Sequence, residues 1–157
     1  MYGNALKEGK MDKYAERLTG FMRAVGCMND AANRISDYFV VKLEESDSML
    51  SSLAMYHSSI TNKFPAAYWH PQLKECSQQI VMETVAIWFF EHEDMQLLPS
   101  SLKQNILGNF IDALIEMTGN ALFYSLITSP PVWYGSQHDE FVIESQYGRY
   151  LIHFSCH

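Results

Sequence analysis

Apolar residues recur along most of this chain three and four positions apart, the period of a helix that buries one face. From Met11 to Gly26, Tyr14, Leu18, Phe21, Met22 and Val25 share such a face. Asp12 stands where it can cap the first turn, and Gly26 suits a left-handed end. A second helix is expected from about Asp30 to Glu45, with Ala31, Ile35, Phe39 and Leu43 as its stripe and Tyr38 and Val41 beside it. A third runs from about Ser48 to Lys63 on Met49, Leu53, Tyr56, Ile60 and Phe64. Pro65 stops it, because proline disfavours helix in the residue before it.

A fourth helix is expected to start near Pro71. Leu73, Cys76, Ile80, Thr84, Ile87 and Trp88 share one face, and Val81, Val85 and Phe89 widen it. Apolar residues on nearly all sides mark a central helix. A fifth opens at Pro99-Ser100-Ser101 and ends near Thr118, where Gly119-Asn120 interrupts it, and a short sixth covers Ala121 to Thr128. Beyond Pro130-Pro131 the pattern changes. Phe141-Val142-Ile143-Glu144 and Arg149-Tyr150-Leu151-Ile152-His153-Phe154 flank Ser145-Gln146-Tyr147-Gly148. That reads as a β-hairpin packed on the helices, with a helix pair as its rival. The fold expected is thus mainly α: a compact bundle of about six helices with a C-terminal hairpin. Residues 1–10 read as a flexible N-terminal segment and 11–157 as a single helical domain.

Composition adds bounds rather than a function. The chain has 157 residues, enough to bury a core without a metal or disulfide staple. Three cysteines, odd in number and with no C-x-x-C, suit reduced thiols. Met1 to Lys13 carries no apolar run of a secretory signal, and Val85 to Phe90 falls far short of the ~20 residues a bilayer needs. A cytoplasmic location is expected.

Charge changes the picture more. The net is −7. Residues 1–74 hold nine basic and eight acidic side chains, whereas residues 75–148 hold ten acidic ones against Lys103 alone. Such a half repels nucleic acid and attracts a cationic protein.

Candidate chemistry is sparse. Glu91-His92-Glu93-Asp94 closes the fourth helix, but no Glu-x-x-His or H-E-x-x-H is present to make it a metal centre. Neither a nucleophile elbow nor a phosphate loop occurs. No catalytic residue, metal or cofactor is therefore assigned. Two aromatic stretches beside prolines, around Trp69 and around Trp133-Tyr134, offer interface anchors. The partner-binding set expected is Glu91, Glu93, Asp94, Asp139, Glu140 and Glu144 for charge, with Trp69, Trp133 and Tyr134 for pocket filling. In physical character this matches bacterial immunity proteins that neutralise basic nuclease toxins, although no shared motif supports a family. The reading is an acidic inhibitor of a basic, nuclease-like protein and not an enzyme. The alternative is a helical-bundle enzyme or ligand-binding protein using a buried carboxylate or histidine, drawn from Glu83, Glu91, His92 and His57.

Overall fold

In the computed structural model, residues 12–60, 70–127 and 137–157 are described, Glu93 by its backbone only. The described chain is α1 (Lys13–Asn29), β1 (Ser36–Leu43), α2 (Met49–Ile60), β2 (Gln72–Cys76), α3 (Gln78–Phe90) and a one-turn α4 (Glu93–Gln96). Then come α5 (Ser100–Thr118), β3 (Ala121–Ile127), β4 (Gln137–Ser145) and β5 (Gly148–Cys156). The strands form one antiparallel sheet in the order β1-β5-β4-β3-β2.

The mainly α, six-helix bundle is therefore corrected to an α/β fold, and the protein is not all-α. Two expected helices and the start of a third give way to strands. Half of Asp30–Glu45 is β1, the start of the fourth helix is β2, and Ala121–Ile127 is β3. The physical reason is the same for β1 and β3. Their strands have apolar residues on both faces, because helices cover both sides of the sheet. Tyr38 and Val40 of β1 join the core under α1, α3 and α5, while Leu43 joins the core with α2 and Val41 packs against it. A strand filled on both faces loses its alternation and imitates a helical stripe. The hairpin is present and longer than expected, with Ser145 opposite Gly148. Gly148 has φ +144°, and a Cβ there would lie 2.6 Å from Lys42 Cε.

One sheet face carries α1, α3 and α5 over a core of Leu18, Met22, Phe89, Phe110, Leu114, Ile143, Ile152 and Phe154. Rings interlock there: Tyr38 meets Phe154 edge-on at 5.1 Å, and Phe89 meets Phe110 edge-on at 5.5 Å. The other face carries α2, through Met49 and Leu53 on Leu126, Val142 and Leu151.

The side chains of Asp12 and Thr19 both tie α1 to the sheet. Asp12 caps α1 by accepting from the Tyr14 and Ala15 amides, and it also accepts from the Tyr150 hydroxyl at 2.9 Å. Burial pushes the Asp12 carboxyl upward, but those three hydrogen bonds and Lys42 outweigh it and hold its pKa below the ordinary value. Thr19 on α1 reaches the edge strand β1. Its hydroxyl donates to the Val40 carbonyl and accepts from the Val40 amide, both at 2.9 Å. We expect Thr19→Val, close in volume, to cost about 1–3 kcal/mol in urea unfolding, since it strips partners from two backbone groups at once.

Candidate functional site

The strand ends where β1 and β4 begin and β5 finishes bring chemistry-bearing residues together. Pairing sets Phe39 opposite His153, and His153 opposite Glu140, so all three share the α2 face. His138 lies two residues before Glu140 on the same face, and Ser155 is opposite His138. Glu140 is the centre. Its side chain has no solvent exposure, and each carboxylate oxygen faces an imidazole. His138 Nδ1 is 3.0 Å from Oε1, and His153 Nδ1 is 3.0 Å from Oε2. His153 Nε2 lies 2.8 Å from the Ser155 hydroxyl, and its ring stacks on Phe39 at 4.7 Å.

Burial dominates the titration of both core members. It pushes the Glu140 carboxyl up to about 7, against the pull of His138, with Asp139 adding to the rise. It pushes His153 down to about 4, with Asp37 opposing and His157 assisting. The carboxylate loses more on leaving water than the charge interaction and hydrogen bond of His138 restore. Tyr56 of α2 is also raised, to about 12, by burial and then by Asp37.

Just across the strand end is an open hollow of about 540 Å³, lined by Ile87, Trp88, Glu91, His92, Gln137, His138 and Asp139. The α3 terminus supplies one wall and the start of β4 the other. Trp88 donates its indole N–H to Asp139 at 2.7 Å, which fixes that carboxylate at the rim. His138 is a residue of the hollow's lining, while its Nδ1 reaches Glu140 on the α2 face of the sheet. Within reach of a ligand the hollow offers two carboxylates, an indole and an aliphatic side chain, an arrangement suited to a cationic group with an apolar stem.

No family model, curated protein or solved structure matches the chain. The site must speak through its geometry.

The expected partner-binding residues separate into groups. Glu91 and Asp139 meet at the hollow, with exposed Asp94 on the adjoining turn. Glu140 is buried, so it presents no charge to a docking surface in this conformation. Glu144 is held by Arg149 at 2.7 Å, and Arg149 also donates to Ser46 and Ser52. Trp69, Trp133 and Tyr134, and the Glu93 side chain, lie outside the described residues. The lopsided charge of the sequence is partly folded away: Glu116 finds Arg17 of the first half at 3.3 Å, while Glu140 is inside. Of the alternative set, Glu83 is exposed and accepts from Gln79, and His57 is buried on α2. Among the described residues no group of three or more His, Cys, Asp or Glu is arranged to hold a metal, and no helix is long and apolar enough to cross a membrane.

Sequence reasoning missed His138, and it placed Glu140 on the surface. The signal was available. A hairpin turning at Ser145 and Gly148 puts 140 opposite 153 by simple register.

Proposed function

We propose that this protein is an acidic protein-binding inhibitor, of the immunity or antitoxin type, that docks a basic, nuclease-like partner at the corner made by α3, α4 and β4. The observation that supports this reading is the hollow with Glu91 and Asp139 on its walls and the exposed apolar side chain of Ile87 in its lining, with exposed Asp94 on the adjoining turn. Exposed apolar area rimmed by charge of one sign suits desolvated contact at the centre and attraction over distance at the edge. The protein's net charge of −7 adds to that attraction.

The test is association with the basic protein encoded by the adjacent reading frame. Affinity is expected to fall as salt rises from ~50 to ~500 mM, because the screening length shrinks severalfold. Reversing two exposed charges together, Glu91→Lys with Asp94→Lys, should slow association about tenfold at low salt and leave the unfolding midpoint unchanged. An adjacent product that binds equally at both salt concentrations, or at the same rate to the double variant, removes the support for this reading.

A second reading is favoured by Glu140 itself. A buried carboxylate of raised pKa beside an open hollow is the usual setting for acid–base or ligand chemistry. It predicts that a small molecule saturates the hollow and raises the melting temperature, and that His138→Gln abolishes the rise while Glu91→Lys with Asp94→Lys is not needed to see it.

A further inference from the structure

The apolar pattern assigns Ile80 and Ile87 to the inward stripe of the fourth helix, yet both stand in solvent, 45% and 56% exposed. Val81, Val85, Trp88 and Phe89 fill the inward side of α3 instead. We infer that the outward ridge of α3 seats a basic amphipathic helix of the partner, laid along Ile80, Glu83, Ile87 and Glu91 with an arginine at the hollow end. This rests on the docking reading above and names the partner element that docks.

At the helical repeat, positions 80, 83, 87 and 91 fall within about 80° of arc and span about 16 Å along the axis. Apolar and acidic side chains alternate along that line. Both glutamates are exposed, and neither has an ion pair among the described residues. Glu83 accepts from the Gln79 amide at 3.2 Å. Thr84, beside the line, donates its hydroxyl to the Ile80 carbonyl at 3.0 Å, so it needs nothing from a partner. At its carboxyl end the ridge runs into the hollow, whose lining includes both Ile87 and Glu91, with Asp139 on the opposite wall.

These features choose the occupant. Acids with no base among them call for a cationic partner. A second copy of the chain would set these carboxylates against one another at close range. Isoleucines seven apart on a straight line match apolar side chains that recur at i, i+3, i+4 and i+7 on another helix, whereas a strand alternates every two residues. The hollow end suits arginine. The Trp88 indole pins one oxygen of Asp139 at 2.7 Å, which fixes the carboxylate plane for a guanidinium fork. The dipole of α3 adds negative potential at the same end.

The experiment titrates the isotopically labelled whole protein with a stapled helical peptide of about 18 residues, followed by amide chemical shifts. Leucine and arginine occupy one face of the peptide, alanine and glutamine the rest. A second peptide of the same composition has leucine and arginine scattered round the helix. Wild type should bind the patterned peptide about tenfold more tightly than the scattered one in ~100 mM salt, with shifts centred on residues 80–91. Ile80→Ser with Ile87→Ser should weaken that binding about tenfold and leave the unfolding midpoint unchanged, because both side chains are exposed. Ile115→Ser removes an exposed isoleucine of α5 and should leave binding unchanged. Equal affinity for the two peptides, no binding of either, or shifts centred elsewhere overturns the inference. So does a dimer that the double serine variant abolishes, since that gives the ridge to a second copy. The docking reading is judged separately, on the product of the adjacent reading frame. If that product binds and depends on Glu91 and Asp94 but not on Ile80 and Ile87, the ridge is overturned and the docking reading stands. If it does not bind, both fall.

Discussion

Substituting Glu140 and His153 one at a time should give stability profiles of opposite slope. Each group is buried, and burial drives each toward its neutral form. Glu140 has an ordinary value of 4.5 and is raised to about 7 in the folded protein. The folded state thus holds a proton that the unfolded chain has lost. That contribution is fully present below 4.5 and disappears as pH rises through about 7. His153 is lowered from 6.5 to about 4. Its contribution is present above 6.5 and disappears as pH falls through about 4. Each shift corresponds to about 3 kcal/mol.

In the wild type the two nearly cancel. Between these limits the pair holds one proton in total, whichever member carries it, and so does the same pair in the unfolded chain. Removing one partner exposes the other. Glu140→Gln should become more stable from pH 4 to 6.5, and His153→Asn should become less stable from pH 4.5 to 7. Urea unfolding midpoints taken at half-unit intervals decide the matter, with a constant m-value showing that only stability moved. Parallel slopes in the two variants would mean that the groups titrate independently of burial.

The second large effect concerns Asn29, the last residue of α1. A helix leaves its final carbonyls without partners. At the end of α3 these include Trp88 O and Phe89 O, which sit inside the protein. The Asn29 amide donates to both, at 2.9 and 3.3 Å, and to the Tyr38 hydroxyl at 3.2 Å. Tyr38 in turn donates to Trp88 O at 3.0 Å. One helix thereby caps another. Asn29→Ala leaves the Phe89 carbonyl stripped in a dry setting and should cost about 2–3 kcal/mol. Tyr38→Phe should cost about 1 kcal/mol, since Asn29 still covers Trp88 O. The double variant bares both carbonyls, so its loss should exceed the sum of the two. Chemical denaturation of the four proteins measures the excess directly; strict additivity would show that the contacts do not share a carbonyl.

Several elements were legible before any coordinates. Asp12 as a cap, α1, α5 and the β4–β5 hairpin all follow from local chemistry that the fold leaves in place. Where reading failed, packing overrode pattern. Phe39 and Leu43 match a helical repeat, yet Tyr38-Phe39-Val40-Val41 is also a β-rich run, and only the presence of α2 beneath the sheet decides between them. Leu73 and Cys76 likewise sit three apart on a helical stripe, but they lie on a five-residue strand that ends where Ser77 caps α3. The site shows the same split. Glu91 and Asp139 were legible as solvent-facing acids, whereas nothing in the linear charge pattern says that Glu140 turns inward. Its placement depends on strand parity, which a one-residue slip would reverse.

The Thr19 contact has one more consequence. By occupying the outward amide and carbonyl of Val40, it stops a foreign strand from adding at that border, leaving β2 as the border strand open to such an addition among the described residues. A ribbon that can be joined from one side only is limited to face-off pairs between two copies. Continuous fibrils, which require two receptive sides per copy, should begin only after α1 has come away.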